Sequence, residues 1–338
     1  MRLIDKIKEK SKGLQKKIIF PEATDERILK AVIEATKNNI IKGVLVGKEK
    51  EIKNKASALD LNLEGIEIIE PLISKNFKRY VSAYAKKTGT PEKTAELIVQ
   101  QPLFFSALAV LLKDVDGMVA GAIHTSGDVI AVCKNIIGLQ KNIVVPSSFF
   151  LMSIPNYEGG ENGTLMYADA SVNPNPTPEE LADIAIMSAQ SAKKLLGWKP
   201  RVAMLSFSTK GSAEHHDVCK VIKATEIARK KAKKMKLNFE IDGELQADSA
   251  LVLETARKKI AGNIGKVAGR ANILIFPDLD AGNIAYKLTQ ILAKANAYGP
   301  ILQGFNRPVS DLSRGANVED IIGVISIVAV WADNWEEK

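Results

Sequence analysis

The stretch "KKIIFPEATDERILKAVIEATK", residues 16–37, decides how the chain is read. Residues 16–20 form a short apolar run closed by Pro21, as expected of a buried strand. After "PEATDE", the apolar residues Ile28, Leu29, Val32 and Ile33 recur at the spacing of one helix face. Strand, polar loop, helix is one unit of an α/β chain. The alternation recurs downstream: "GVLVG" (43–47), "GMVAGA" (117–122), "NIVVPSS" (142–148), "RVAMLSFS" (201–208) and "NILIFPD" (272–278) read as strands ending in small or polar residues. The fold class expected is α/β with largely parallel sheets.

The best helix start lies in "NPNPTPEELADIAIMSAQSAKKLLGW". Thr177 suits the N-cap, Pro178 the first helical position, and Glu180 completes a capping box. Leu181, Ile184, Ala185, Ala192 and Leu195 then share one apolar face with the small Ser188. The Pro/Asn-rich run before it marks a fixed turn, and the first domain change is expected near residue 150. At 338 residues the chain exceeds one ordinary core, so two domains are the default.

A count of 47 Lys+Arg against 39 Asp+Glu gives a formal charge of +8. Basic chains often meet nucleic acid, membranes or anionic metabolites. Here the excess sits in runs such as "ARKKAKKMK" (228–236), which suit a solvated helix face, and no nucleic-acid-binding signature accompanies them. Two cysteines, Cys133 and Cys219, are too few for a disulfide framework or a zinc site. The N-terminus is charged and amphipathic, no run reaches membrane-span length, and a cytoplasmic location is expected.

Three loops after strands are unusually polar: "HTSGD" (124–128), "STKGSAE" (208–214) and "PDLDAGN" (277–283). In open α/β sheets ligands bind beyond the carboxyl ends of strands. The second loop has hydroxyls, a glycine, a lysine and a following helix start, the parts of an anion cradle. Taken singly, such a turn is more often helix capping than phosphate binding. Neither GxGxxG after a strand nor GxxxxGK[ST] is present, which removes the usual warrants for a dinucleotide dehydrogenase or a P-loop ATPase. His215 and His216 are adjacent, expected to diverge, and read as surface residues rather than a metal pair. His124 reads either as a ligand donor or as a structural histidine.

"SDLSRGANVED", residues 310–320, supports two readings. Asn317 can be an N-cap with Asp320 at N3 as its capping-box partner. Equally, Ser313 and Arg314 precede that helix N-terminus, so a guanidinium, a hydroxyl and a helix dipole can converge on an anion. "DIIGVISIVAVWA" is long enough for a helix, though its β-branched residues also allow a strand.

Together these segments resemble the phosphate acetyl/butyryl transferase family, from "IIFPEATDERILKAV" to the C-terminus. The densest matches are "DGMVAGAIHT", "VNPNPTPEELADIA", "MLSFSTKGSA", "DGELQADSAL", "ANILIFPDLDAGNIAYKL" and "GPILQGFNRPVSDLSRG". The resemblance implies a reversible acetyl transfer: acetyl-CoA plus phosphate gives acetyl phosphate plus CoA. CoA is then a substrate, and neither cofactor nor metal is called for. It implies a two-domain α/β/α sandwich like isocitrate and isopropylmalate dehydrogenases, with the active site in the interdomain cleft and a homodimer as the assembly. The C-terminal segment returns to the first domain, giving 1–148 plus 308–338, and 149–307. It places the catalytic groups at Ser313, Arg314 and Asp320, with the aspartate taking the CoA thiol proton. Substrate binding falls to His124, Thr125, Ser126, Ser208, Thr209, Lys210, Gly211, Ser212, Asn283 and Tyr286.

A thiol of pKa about 8.5 and an Asp of about 3.9 differ by about 6 kcal/mol for full proton transfer. Asp320 must therefore have a raised pKa, or move the proton in concert with attack, or rely on a cation such as Arg314 to stabilise the thiolate. The sequence departs from the family at three points. Ala131 and Ala85 stand where arginines associated with the CoA 3′-phosphate are expected, and Ala316 replaces the cysteine after "SRG". Alternatives are propionyl or butyryl transfer, and a paralogue that binds acyl phosphate or CoA without efficient turnover.

Overall fold

A computed structural model describes residues 3–141 and 143–335. The chain divides into two compact units: one runs to Gln140 and resumes at Phe305, the other is Lys141–Gly304.

The first unit opens with α1 (Leu3–Ser11), β1 (Lys17–Phe20) and α2 (Glu26–Lys37). Ile18, Ile19 and Phe20 are fully buried, as are Ile28, Leu29 and Val32, so the strand and the helix face read from residues 16–37 both form. Asp25 starts α2 by accepting from Arg27 N at 2.9 Å and Ile28 N at 3.3 Å. Then follow β2 (Lys42–Val46), α3 (Glu49–Ala58), β3 (Glu67–Ile69), α4 (Phe77–Thr88), α5 (Glu92–Val99), α6 (Pro102–Leu111), β4 (Gly117–Val119) and α7 (Ser126–Ile136).

The second unit holds β5 (Ser147–Ser153), β6 (Thr164–Ala168), α8 (Pro178–Leu196), β7 (Arg201–Leu205), α9 (His216–Lys234) and β8 (Glu240–Leu245). It continues with α10 (Ala247–Leu251), α11 (Leu253–Lys259), β9 (Ile273–Ile275), α12 (Leu279–Leu292) and β10 (Asn296–Gln303). The chain then returns to the first unit as β11 (Val309–Ser310) and α13 (Val318–Asp333).

In the first unit the strands run β3-β2-β1-β4-β11, all parallel. In the second they run β10-β5-β6-β9-β7-β8, with β5 antiparallel to both its neighbours and the rest parallel. The fold class is the α/β one expected. The ambiguous segment after Asp320 is a helix. α13 is buried on nearly every side and packs on α1, α2 and β4, which is why it is apolar all round.

One strand differs from its expected place. Asn142 lies outside the described residues, and pairing begins only at Ser147 rather than across 142–148. Val144 is exposed and Pro146 lacks a backbone donor, so the β-branched pair is a surface connection and the strand is "SSFFLMS". The changes between units accordingly fall at 140/141 and 304/305, ahead of the 148/149 and 307/308 expected from sequence. Among the described residues no single helix is long and apolar enough to cross a membrane.

Candidate active site

In the first unit three loops leave the carboxyl ends of β1, β4 and β11, and two charged residues, Glu22 in the first loop and Arg27 in the first turn of α2, tie them together. Glu22 is buried and accepts from the amides of Ala122, Ile123 and His124 at 2.7, 2.8 and 2.7 Å. It also meets His124 Nδ1 at 2.8 Å. Facing a carboxylate, Nδ1 carries the proton. Burial opposes the charge on Glu22, but the His124 ring and the three amides together hold its carboxyl below the usual range. Hydrogen bonding to Glu22 in turn raises His124.

Arg27 is the second tie. Its Nη1 donates to the carbonyls of Arg314 at 2.6 Å and Ala316 at 3.2 Å, and its Nη2 to that of Ala122 at 3.0 Å. Asp25 fixes the guanidinium through Nε at 3.1 Å and Nη2 at 2.9 Å. One planar cation therefore sets the backbone of 314–316 against that of the β4–α7 loop. From sequence, "PEATDE" reads only as a strand breaker and Arg27 only as part of the helix after it, so both residues were missed. Their signal was position: charges in the loop and first helical turn directly after a buried strand.

On that frame, Ser313 is half-buried and its Oγ accepts from Gly315 N at 3.4 Å, while Arg314 is exposed. Asp320 closes the capping box: its own amide donates to Asn317 Oδ1 at 2.9 Å, and Asn317 N donates to its Oδ2 at 3.2 Å. At 7% exposure, burial raises its pKa, with Glu319 adding and the Asn317 amide opposing. Asp320 thus caps α13 through Oδ2, and burial holds its carboxyl above the ordinary aspartate value.

Thr125 and Ser126 open α7. The Thr125 hydroxyl accepts from Asp128 N and Asp128 Oδ2 accepts from Thr125 N, each at 3.2 Å, another capping box. Beneath this turn lies Asp311, fully buried, directly after β11. Burial pushes its carboxyl up to about 7, and the nearby Glu22 charge adds to this. The Ser126 hydroxyl, the Leu312 amide and Arg314 draw it the other way. Among the described residues, however, neither carboxylate oxygen closes a hydrogen bond of normal geometry.

The other expected binding residues belong to the second unit. The cradle at 208–212 forms, and a carboxylate of the chain itself fills it. Glu244, also buried, accepts from Ser208 Oγ at 3.1 Å and Gly211 N at 2.6 Å. Thr209 N is taken by Ser212 Oγ at 2.9 Å, Thr209 Oγ1 accepts from Gln246 N at 3.0 Å, and Lys210 Nζ pairs with Asp242 at 2.5 Å. Asn283 Nδ2 donates to Ala170 O at 3.1 Å, and the buried Tyr286 ring stacks on Phe150 at 4.2 Å, so both fasten α12 to its neighbours. Of the two alanines at the family's arginine positions, Ala131 is exposed on α7 and Ala85 is half-buried on α4.

His215 and His216 do not diverge as expected. Their rings lie 4.0 Å apart, because His215 is the extended N-cap residue of α9 and only His216 is helical. With Asp217 they bring ligand-type atoms within 4.8 Å of one another at the surface. His215 Nδ1 accepts from Asp217 N at 3.3 Å.

The largely parallel strands with helices between them define an α/β protein, and a Ser-Arg loop precedes a helix whose first turn holds a buried acid of raised pKa. The sequence profile described as phosphate acetyl/butaryl transferase matches residues 2–329, and the chain belongs to that family. The phosphate acetyltransferase of Thermoanaerobacterium thermosaccharolyticum is 48% identical over 98% of this chain and 100% of its own length. That of Acetivibrio thermocellus is 46% identical over 98% of both. Among solved structures, phosphotransacetylases from Streptococcus pyogenes and Staphylococcus aureus superpose with TM-scores of 0.89 and 0.88, at 37% identity over 98% of each chain.

Proposed function

We propose that this chain is a phosphate acetyltransferase that moves an acetyl group reversibly between CoA and inorganic phosphate. The carrying observation is the segment 313–320: an exposed guanidinium, a hydroxyl and, at the start of α13, a buried acid of raised pKa, with the backbone of 314–316 stapled by Arg27. Relatives 45–48% identical over 98% of this chain carry that name.

The chemistry follows from these groups. Asp320 Oδ1, the oxygen not used by the cap, takes the proton as the CoA S–H bond breaks. The thiolate sulfur bonds to the acetyl carbon of acetyl phosphate. The carbonyl electron pair, displaced to oxygen, is met by the Ser313 hydroxyl. It returns as the C–O bond to phosphate breaks, and phosphate departs with that bonding pair beside Arg314. A raised Asp320 shrinks the gap of about 6 kcal/mol that an ordinary aspartate would face. No step calls for a cofactor or metal, and CoA enters as substrate. Acetyl phosphate and phosphate are the remaining small-molecule partners. His124, Thr125 and Ser126, at the neighbouring strand end, are assigned to the substrate; Ser208, Thr209, Lys210, Gly211, Ser212, Asn283 and Tyr286 bond within the second unit and hold its own loops and helices.

We place the protein in the cytoplasm, where CoA and two unpaired cysteines are at home, and propose a homodimer. Ile284, Leu288, Ile291 and Leu292 form an exposed apolar stripe along α12, of the kind that marks an interface. The function is tested by following thioester formation from CoA with acetyl, propionyl and butyryl phosphates. Acetyl transfer is expected to be fastest. No thioester from any of the three overturns the proposal, and a longer chain running fastest overturns its acetyl assignment.

A further inference from the structure

Four acids stand just past strand ends: Glu22 after β1, Asp169 after β6, Glu244 at the end of β8 and Asp311 after β11. All are buried. Glu22, Asp169 and Glu244 each accept from at least two donors. Asp169, for example, accepts from the amides of Ser148, Ser171, Val172 and Asn173. Asp311 alone among these four has no partner of normal geometry for either oxygen. Room for it is made deliberately. Gly121 has φ +106, and a Cβ there would overlap Asp311 Oδ1 and stand 2.6 Å from Leu312 N. An unpaired buried carboxylate is destabilising, and such groups persist where they serve a function.

We propose that Asp311 is a positioning residue of the acetyl-transfer site, acting through the Ser126 hydroxyl and the backbone of 312–314, and that its ionisation tightens that loop. The inference rests on the functional assignment above for what the loop does. Ionised, the carboxylate attracts the Ser126 O–H, the Leu312 N–H and the Arg314 charge; neutral, it loses most of that pull. The titratable and charged groups facing it are Glu22 from the β1–α2 loop, Cys133 from α7 and Arg314 from its own loop. His124 offsets the Glu22 charge when it is protonated, which the Glu22 hydrogen bond favours. The displaced titration of Asp311, close to 7, puts the change inside the working pH range.

The sign of the linked stability is specific. A carboxyl whose folded pKa is raised favours the fold below its unfolded value, about 3.9, and that contribution is lost as pH rises through about 7. Asp311→Asn removes this loss. Between pH 5 and pH 8 the Tm of the native protein should fall by about 3–5 °C more than that of Asp311→Asn. His124 contributes to the native slope in the upper part of this range, so the difference between the two proteins is the readout. At pH 8 the variant should lose at least about tenfold in kcat, with the KM for acetyl phosphate within about threefold, and the rise of kcat through pH 7 should flatten. Equal loss of Tm at both pH values, or an unchanged pH–rate profile, makes Asp311 an ordinary structural residue. Isotope-edited infrared of the native carboxyl decides the matter if the variant fails to fold: a group fully ionised at pH 5 overturns the proposal. The stability and infrared arms stand even if thioester formation is never seen, so the two proposals fail separately.

Discussion

At the carboxyl ends of β4 and β11, two helices of the first unit begin with the same local structure. Thr125 and Asp128 close a capping box on α7; Asn317 and Asp320 close one on α13. Each acid stands at the third helical position and accepts the N-cap amide at 3.2 Å. Their protonation is displaced in opposite directions. Asp128 is exposed, and hydrogen bonds from the Thr125 side chain and amide hold its pKa down. Asp320 is buried, and that burial pushes its pKa up. A capping box alone is thus a structural device. On the proposed function it serves chemistry where the acid is desolvated and a guanidinium and hydroxyl lie on the segment leading into the helix.

The largest effect should come from Asp320→Asn, which keeps a group able to cap but none able to take a proton. Turnover should fall by about 10²–10⁴-fold with Tm nearly unchanged, whereas Asp128→Asn should stay within about threefold. Comparable losses in both variants, or in neither, break the contrast. Arg314→Lys keeps the charge and loses the planar fork, and should lower kcat/KM by about 10²-fold in steady-state assays. Arg27→Ala leaves three carbonyls without their common donor. It should lower both Tm and kcat, the latter by about tenfold, because the loop loses its placement rather than its chemistry.

A smaller change is expected of Ala131→Arg on the exposed face of α7. Placing a cation where the resemblance leads one to expect an arginine should lower the KM for CoA by about a decade and leave that for acetyl phosphate nearly unchanged. Dephospho-CoA, lacking the 3′-phosphate, should serve the native protein almost as well as CoA, and a gap should open in the variant. The slightest effect is on stability. His124, raised by Glu22, supports the fold fully below about 6.5, and that support is lost as pH rises through its higher folded value. Glu22, held low, supports the fold above about 4.3, and that support is lost as pH falls through its folded value. His124→Ala should therefore flatten the fall of Tm on the alkaline side.

The fold was readable because it rests on local periodicity. Residues 16–37 show strand and helix directly, and the Thr177–Glu180 box formed as expected, with Glu180 N donating to Thr177 Oγ1 at 3.3 Å. The strand expected at 142–148 failed because apolar character does not say which residues are covered, and Val144 is exposed. In the proposed site, Ser313, Arg314 and Asp320 stood out because they share one short segment, and their catalytic roles came from the family resemblance. Glu22 and Arg27 could not: their partners lie about 100 and 290 residues away, and no spacing rule reaches that far. The 208–212 loop carried the composition of an anion cradle, but composition does not reveal that Glu244 fills it. The same holds for Asp311, whose significance is a missing partner.

The contrast between the two capping boxes is tested most directly by a residue-resolved carboxyl titration of the native protein, with Asp128 and Asp320 followed by carbon-13 NMR in one sample. The account predicts that Asp128 titrates below the ordinary aspartate value and Asp320 above it. If Asp320 titrates at or below Asp128, it is a helix cap like the other, and the proton-accepting group must be sought elsewhere.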